Sequence, residues 1–96
     1  MKMLMLVYSG SNPQRISRLI DEHEVGGYME FRRVRGSGST GKREGTRAWP
    51  GESTLFVSVA PEEQAEELLT TLRGEVGRLP AGERLHVAVL PAESFF

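Results

Sequence analysis

The chain contains no cysteine and only two histidines, His23 and His86. That removes disulfide scaffolds, thiolate nucleophiles and thiolate metal sites, and leaves imidazole chemistry to two side chains. It also lacks an excess of either charge: Lys and Arg number 12 against 13 Asp and Glu, for a formal net charge of −1. Without a global basic field to hold nucleic acid by counterion release, nucleic acid is excluded as a partner and any anion site must be local. Long apolar runs are missing too. The run at residues 3–8 covers about six positions against the roughly twenty of a spanning helix, and no small-residue cleavage site follows it. It reads as a strand, and the cytoplasm is the expected location. No set of residues specifies a nucleophile with its base, so the chain is expected not to be an enzyme.

What is abundant is glycine and positive charge in one place. Residues 34–52, VRGSGSTGKREGTRAWPGE, hold Gly36, Gly38, Gly41, Gly45 and Gly51, five of the chain's 11 glycines. Such spacing leaves little to pack in a core and exposes backbone N–H groups beside cationic heads. A connection this long without regular structure of its own is expected to contact a ligand or a partner. Arg35, Lys42, Arg43, Arg47 and the distant Arg84 could supply charged hydrogen bonds to an anion, with the amides of residues 36–41 as a nest; the alternative is a merely solvated basic loop. Trp49 either stacks on a base or an aromatic partner group, or pins the loop onto the body.

The remainder reads as scaffold around one core, the number that 96 residues can support. After the first strand, Ser11-Asn12-Pro13 offers an N-cap and a proline at the first helical position, and Ile16, Leu19 and Ile20 mark a helical face. Gly26-Gly27 is expected to stop that helix, and residues 28–35 form a second strand feeding the glycine loop. Leu55, Val57 and Val59 alternate with Phe56 and Ser58 in a third strand. From Pro61 a second helix carries Ala65, Leu68, Leu69, Leu72, Val76 and Leu79 on one stripe, with acidic residues in its first turn and Arg73 and Arg78 toward its end. Leu85, Val87 and Val89 alternate with His86, Ala88 and Leu90 in a fourth strand that Pro91 ends. The order βαββαβ predicts an α+β fold, a ferredoxin-like two-layer sandwich with an antiparallel sheet and a long loop between the second and third strands.

A two-layer sandwich leaves one sheet face bare, and here that face is apolar: Met3, Met5 and Val7 point away from Leu4, Leu6 and Tyr8. Self-association is the expected cover; the alternative is that Phe95-Phe96 folds back over it. His23 continues the Ile16–Leu19–Ile20 stripe and is expected to be half-buried and structural. The clusters Glu22-His23-Glu24 and Glu62-Glu63 read as solvated helix faces.

The strand exit Val34-Arg35-Gly36-Ser37-Gly38, within this order of elements, resembles the V-(K/R)-G-x-G exit of the PII signal-transduction proteins. Gly45 to Glu52, GTRAWPGE, followed by an apolar strand, resembles a divergent PII-like branch with a shorter loop rather than the nitrogen regulators proper. The resemblance implies a single PII-like domain over residues 1–96, with a T-loop-like segment at about residues 36–53. It implies a homotrimer that binds a small effector, an adenine nucleotide (ATP, ADP or AMP), in clefts between subunits. The loop, through Lys42, Arg43, Arg47 and Trp49, would then meet a target protein, a membrane transporter or an enzyme. Carried over residue by residue, the ligand set is Arg35, Gly36, Gly38, Thr40, Gly82 and Arg84. Thr40 stands where the family has a ligand-contacting glutamine. GRLPAGERL stands where the family has its second glycine-rich loop, with Glu83 adding an opposing charge.

Two other classes share this topology. A metal-binding regulator resembling the trimeric cation-tolerance proteins would use copies of His86 brought together by assembly. An acylphosphatase-like enzyme would need its phosphate loop after the first strand, where this chain has SGSNPQR, with Arg15 as its cation.

Overall fold

Two apolar faces with a two-residue period make β1 (Lys2–Ser9) the natural centre of a sheet. In the computed structural model of the chain, which describes residues 1–23, 25–38, 41–42 and 53–96, it holds that position. The chain continues through α1 (Pro13–Asp21), β2 (Met29–Val34), a short pair of strands, β3 (Ser37–Gly38) and β4 (Gly41–Lys42), then β5 (Ser53–Ala60), α2 (Glu62–Val76) and β6 (Arg84–Pro91). The main sheet is antiparallel with strand order β2-β5-β1-β6. This is the expected ferredoxin-like α+β sandwich, in which each helix joins two strands that lie either side of a third.

Several local expectations are corrected. Asn12 caps α1 without a side-chain hydrogen bond; its amide donates instead to the Tyr8 hydroxyl at 3.1 Å. The helix ends at Asp21, ahead of Gly26-Gly27, whose φ values of 87° and 125° serve the turn into β2. β2 begins one residue after Tyr28 and stops short of Arg35. Pro91 lies inside β6 as its last residue, opposite Lys2, which an edge strand tolerates because one side of its backbone needs no partner. The glycine loop is also not wholly irregular, since β3 and β4 pair through Ser37 with Lys42 and Gly38 with Gly41.

Both helices cover the same face. Leu4, Leu6 and Tyr8 of β1, Phe56 of β5 and Leu85 of β6 are buried against Ile16 and Ile20 of α1 and Ala65, Leu68, Leu69 and Leu72 of α2. The α2 stripe is corrected at one position: Val76 is exposed, and Glu75 is buried instead, ion-paired with Arg15 of α1. Positions 75 and 76 both follow Leu72 at helix-neighbour spacing, so which one turns inward depends on what the other helix offers.

Directly opposed residues share a sheet face, so the register defines the bare one. Its rows are Val59–Met3–Leu90, then Met29–Val57–Met5–Ala88, then Phe31–Leu55–Val7–His86. Met29 and Phe31 are 59% and 45% exposed. Phe95 helps line a cavity of about 340 Å³ with Met29, Val57 and Val59 but stays 65% exposed, and Phe96 is fully exposed. The tail therefore does not cover this face.

Candidate functional site

Part of what the sequence marks as functional gathers at the last row of the sheet. Val34, Ser53, Ser9 and Arg84 stand opposite one another at one end, where β2 leaves the sheet, β5 enters it, β1 finishes and β6 begins. The Ser9 and Ser53 hydroxyls share a buried hydrogen bond of 2.7 Å there. β2 reaches this row through a bulge: three residue steps from Phe31 to Val34 oppose two steps of β5, and Arg33 takes up the extra residue at φ 60°. A left-handed non-glycine residue is uncommon. Here it restores Val34 to the face of Phe31 and aims the strand exit away from the sheet.

Arg35 and Gly36 follow this exit and are exposed. Gly38 lies in β3 and Lys42 in β4. Thr40, Arg43, Arg47 and Trp49 lie outside the described residues. On the opposite edge, Gly82 turns the chain into β6 with φ 86°, and Arg84 is the strand's exposed first residue. The two halves of the expected ligand set thus share one end of the sheet but flank opposite edges. Three strand spacings separate them, roughly 14 Å, so one chain does not bring them together.

A cluster that the sequence reading missed holds the second half in place. The Tyr8 hydroxyl donates to Glu83 Oε1 at 2.7 Å and accepts from the Asn12 amide, and the Ser11 hydroxyl donates to Glu83 Oε2 at 3.4 Å. Gly10 makes this possible. A Cβ at position 10 would come within 2.7 Å of Tyr8 Cζ and Glu83 Cδ, and closer still to the phenol oxygen. The only hint in the sequence is an aromatic hydroxyl ending a core-facing stripe, since a buried tyrosine needs a partner for its O–H.

Burial pushes the Tyr8 phenol above its ordinary value of 10.0, and the hydrogen bond to Glu83 pushes in the same direction, against the Asn12 amide and the Arg15 charge. The phenol therefore stays a neutral donor at neutral pH. A folded pKa above the unfolded one gives stability that is complete below the unfolded pKa and lost as pH rises through the folded value. Alkaline titration from pH 9 to 12, followed by circular dichroism, is expected to destabilise the protein above about pH 10, and Tyr8→Phe should remove that component.

The remaining candidates resolve plainly. His23 is half-buried, with Nδ1 2.6 Å from the Leu19 carbonyl oxygen and Nε2 2.9 Å from the Thr71 hydroxyl, so it joins α1 to α2 as a structural group. His86 is exposed on the bare face. Among the described residues, no group of three or more His, Asp or Glu is placed to hold a metal. Arg15, the cation that an acyl-phosphate loop would need, is paired with Glu75. No helix among the described residues is long and apolar enough to cross a membrane.

No family model matches the sequence, and no curated protein matches it. Solved structures do. CPII from Thiomonas intermedia, a nitrogen regulatory PII-like protein bound to ADP, AMP and bicarbonate, superposes with a TM-score of 0.67 at 20% identity, over 93% of this chain and 84% of that one. A protein of Thermus thermophilus assigned as PII-like gives 0.63 at 24% identity, over 93% and 85%. A DUF3240 family protein from Shewanella baltica gives 0.70 at 18% identity, over 99% and 93%. The fold is therefore that of PII-like proteins, as the strand exit and the order of elements led us to expect.

Proposed function

We propose that this chain is a divergent PII-like regulatory protein, a single domain over residues 1–96 that acts as a cytoplasmic homotrimer rather than as an enzyme. It holds a small effector, an adenine nucleotide, in clefts between copies, and presents residues 36–53 to a target protein such as a transporter or an enzyme.

The observation that carries this reading is the placement of Arg35 and Gly36 at one sheet edge and Gly82 and Arg84 at the other, at the same end. A head-to-tail contact that sets the β2 edge of one copy beside the β6 edge of the next would unite the halves, and a rotation of one third closes the ring. The apolar rows of the bare face supply the drive for such assembly, at about 25 cal/mol per Å² buried. Affinity does not require an elaborate site. Moving a nucleotide from millimolar to micromolar binding takes about 4 kcal/mol, which two or three charged hydrogen bonds of about 1.5–3 kcal/mol each supply. The adenine nucleotides found on CPII make this ligand class the first to test.

Light scattering is expected to report the mass of three chains. Titration with ATP, ADP or AMP should change Trp49 emission and the proteolysis of residues 36–53. A single-chain mass, or emission and cleavage indifferent to all three nucleotides, overturns the proposal.

A further inference from the structure

We infer that Phe95 of one copy, with Met29 beside it, docks into an apolar groove between α2 and β6 of the next copy, and that three such contacts close the ring. This rests on the assembly proposed above and names the side chains that fasten it at the sheet edges.

The groove holds about 180 Å³ and is walled by Leu69, Leu72 and Val76 of α2 and by Val87 and Val89 of β6, with Arg73 as its charged lining residue. The register sets Val87 opposite Leu6 and Val89 opposite Leu4, so both valines stand on the helix-covered face. That face runs out at β6, the edge strand, and leaves Val76 and Val89 47% and 42% exposed. Apolar side chains that are contiguous, unlike those scattered singly, mark a contact surface.

The complementary feature stands at the other side of the sheet. Past Pro91 the Ala92 amide still donates to the Met1 carbonyl at 3.1 Å, and the chain then brings Phe95 into a shared cavity with Met29 of β2 and Val57 and Val59 of β5. Phe95 and Met29 remain mostly exposed. This knob lies by the bare face and two to three strand spacings from β6, roughly 10–14 Å, so it does not fill the groove of its own chain.

Height along the strands decides whether knob and groove can meet in a closed ring. Rotation about an axis parallel to the strands moves nothing along them, so the two must lie level. They do: Val57 and Val59 stand opposite Met5 and Met3, which stand opposite Ala88 and Leu90, and Val89 falls between those last two. Opposite edges at equal height suit a head-to-tail ring, whereas a displaced knob would build a helical filament. Each copy then overhangs its neighbour like the blade of a pinwheel, its bare face at β2 lying over the neighbour's α2–β6 margin. Charge agrees with this pairing: Glu93, two residues before Phe95, and Arg73 in the groove wall are exposed, and neither is ion-paired among the described residues. The same two edges carry the halves of the proposed effector cleft at their other end, so one contact builds both.

A chain without cysteine allows a direct test. Val76→Cys and Phe95→Cys are made separately, at positions exposed enough to spare the core. Mixed in equal amounts, reassembled by dilution and reconcentration, and treated with a short bis-maleimide, they are expected to give a covalent pair of chains that neither variant gives alone. The chain carrying both should give a ladder that ends at three. Thr70→Cys, on the exposed side of α2, should not link to Phe95→Cys. A second measurement needs no cross-link: Phe95→Ala and Val76→Lys should each raise the concentration at which light scattering finds half the mass as single chains, by about tenfold or more. A three-chain mass with no link between positions 76 and 95, with equal linking at position 70, or with dissociation unmoved by both substitutions overturns this inference and leaves the assembly standing. A single-chain mass for wild type overturns the assembly and this inference together, and a ladder that runs past three chains overturns the ring.

Discussion

Met5→Glu is expected to convert the proposed trimer into single chains, so that the mass seen by light scattering falls to that of one chain, 10.7 kDa. Met5 stands at the centre of the bare face, with Val57 on one side, Ala88 on the other and Met29 beyond, and none of these side chains can pair a carboxylate. Burying the charge between copies without a partner costs about 3 kcal/mol or more per chain, which is over a hundredfold in each contact. The fold itself should survive, because the helix-covered face owes its packing to Leu4, Leu6 and Phe56 and not to Met5. Thr70→Glu, on the exposed side of α2, supplies the control and should leave the mass unchanged. Should Met5→Glu keep the wild-type mass, the bare face is not the surface that assembles. Nucleotide titration of the resulting single chains adds a second readout: affinity should collapse together with mass, because the proposed ligand residues of one chain sit on opposite edges of its sheet.

Much of this architecture was legible in the sequence because the features that specify it are local. The alternation at Met3 to Tyr8 and at Leu55 to Val59 marks strands with two apolar faces, Asn12-Pro13 marks a helix start, and His23 on the Ile16 stripe marks a half-buried helix contact. What escaped depends on residues far apart in the chain. Glu75 turns inward because Arg15, 60 residues away, meets it, and Glu83 finds its donor in Tyr8 at a separation of 75. The Arg33 bulge gives no compositional signal, since the residue that adopts the left-handed backbone is not a glycine. The division of the proposed ligand set between two edges follows from the strand order, which the residues taken one after another along the chain do not reveal. The second glycine-rich segment, read for its glycines, Arg84 and the opposing charge of Glu83, also contained in Glu83 the partner of the Tyr8 hydroxyl.

That contact makes position 10 sensitive to any added side chain. Gly10→Val is expected to lower stability by about 2–6 kcal/mol, combining overpacking of about 1–3 kcal/mol with the cost of leaving the Tyr8 hydroxyl unsatisfied, about 1–3 kcal/mol. Its backbone is not left-handed, so the penalty comes from space and not from φ. The added carbons meet the tyrosine ring and the Glu83 carboxyl carbon at once. By contrast, a Cβ at Gly26, Gly27 or Gly82 would find open space and would be strained only through its backbone. Thermal unfolding should show the loss as a fall in Tm of roughly 10 °C or more, since about 1 kcal/mol corresponds to 4–8 °C in a domain of this size. A double-mutant cycle with Tyr8→Phe separates the causes. Removing the phenol oxygen relieves the closest clash and the unsatisfied group together, so the pair should be less destabilised than the sum of the single variants, by about 1 kcal/mol or more. Strict additivity would mean that Gly10 and Tyr8 do not press on each other, and the Tyr8–Glu83 clasp would then lose its role in shaping the β6 turn.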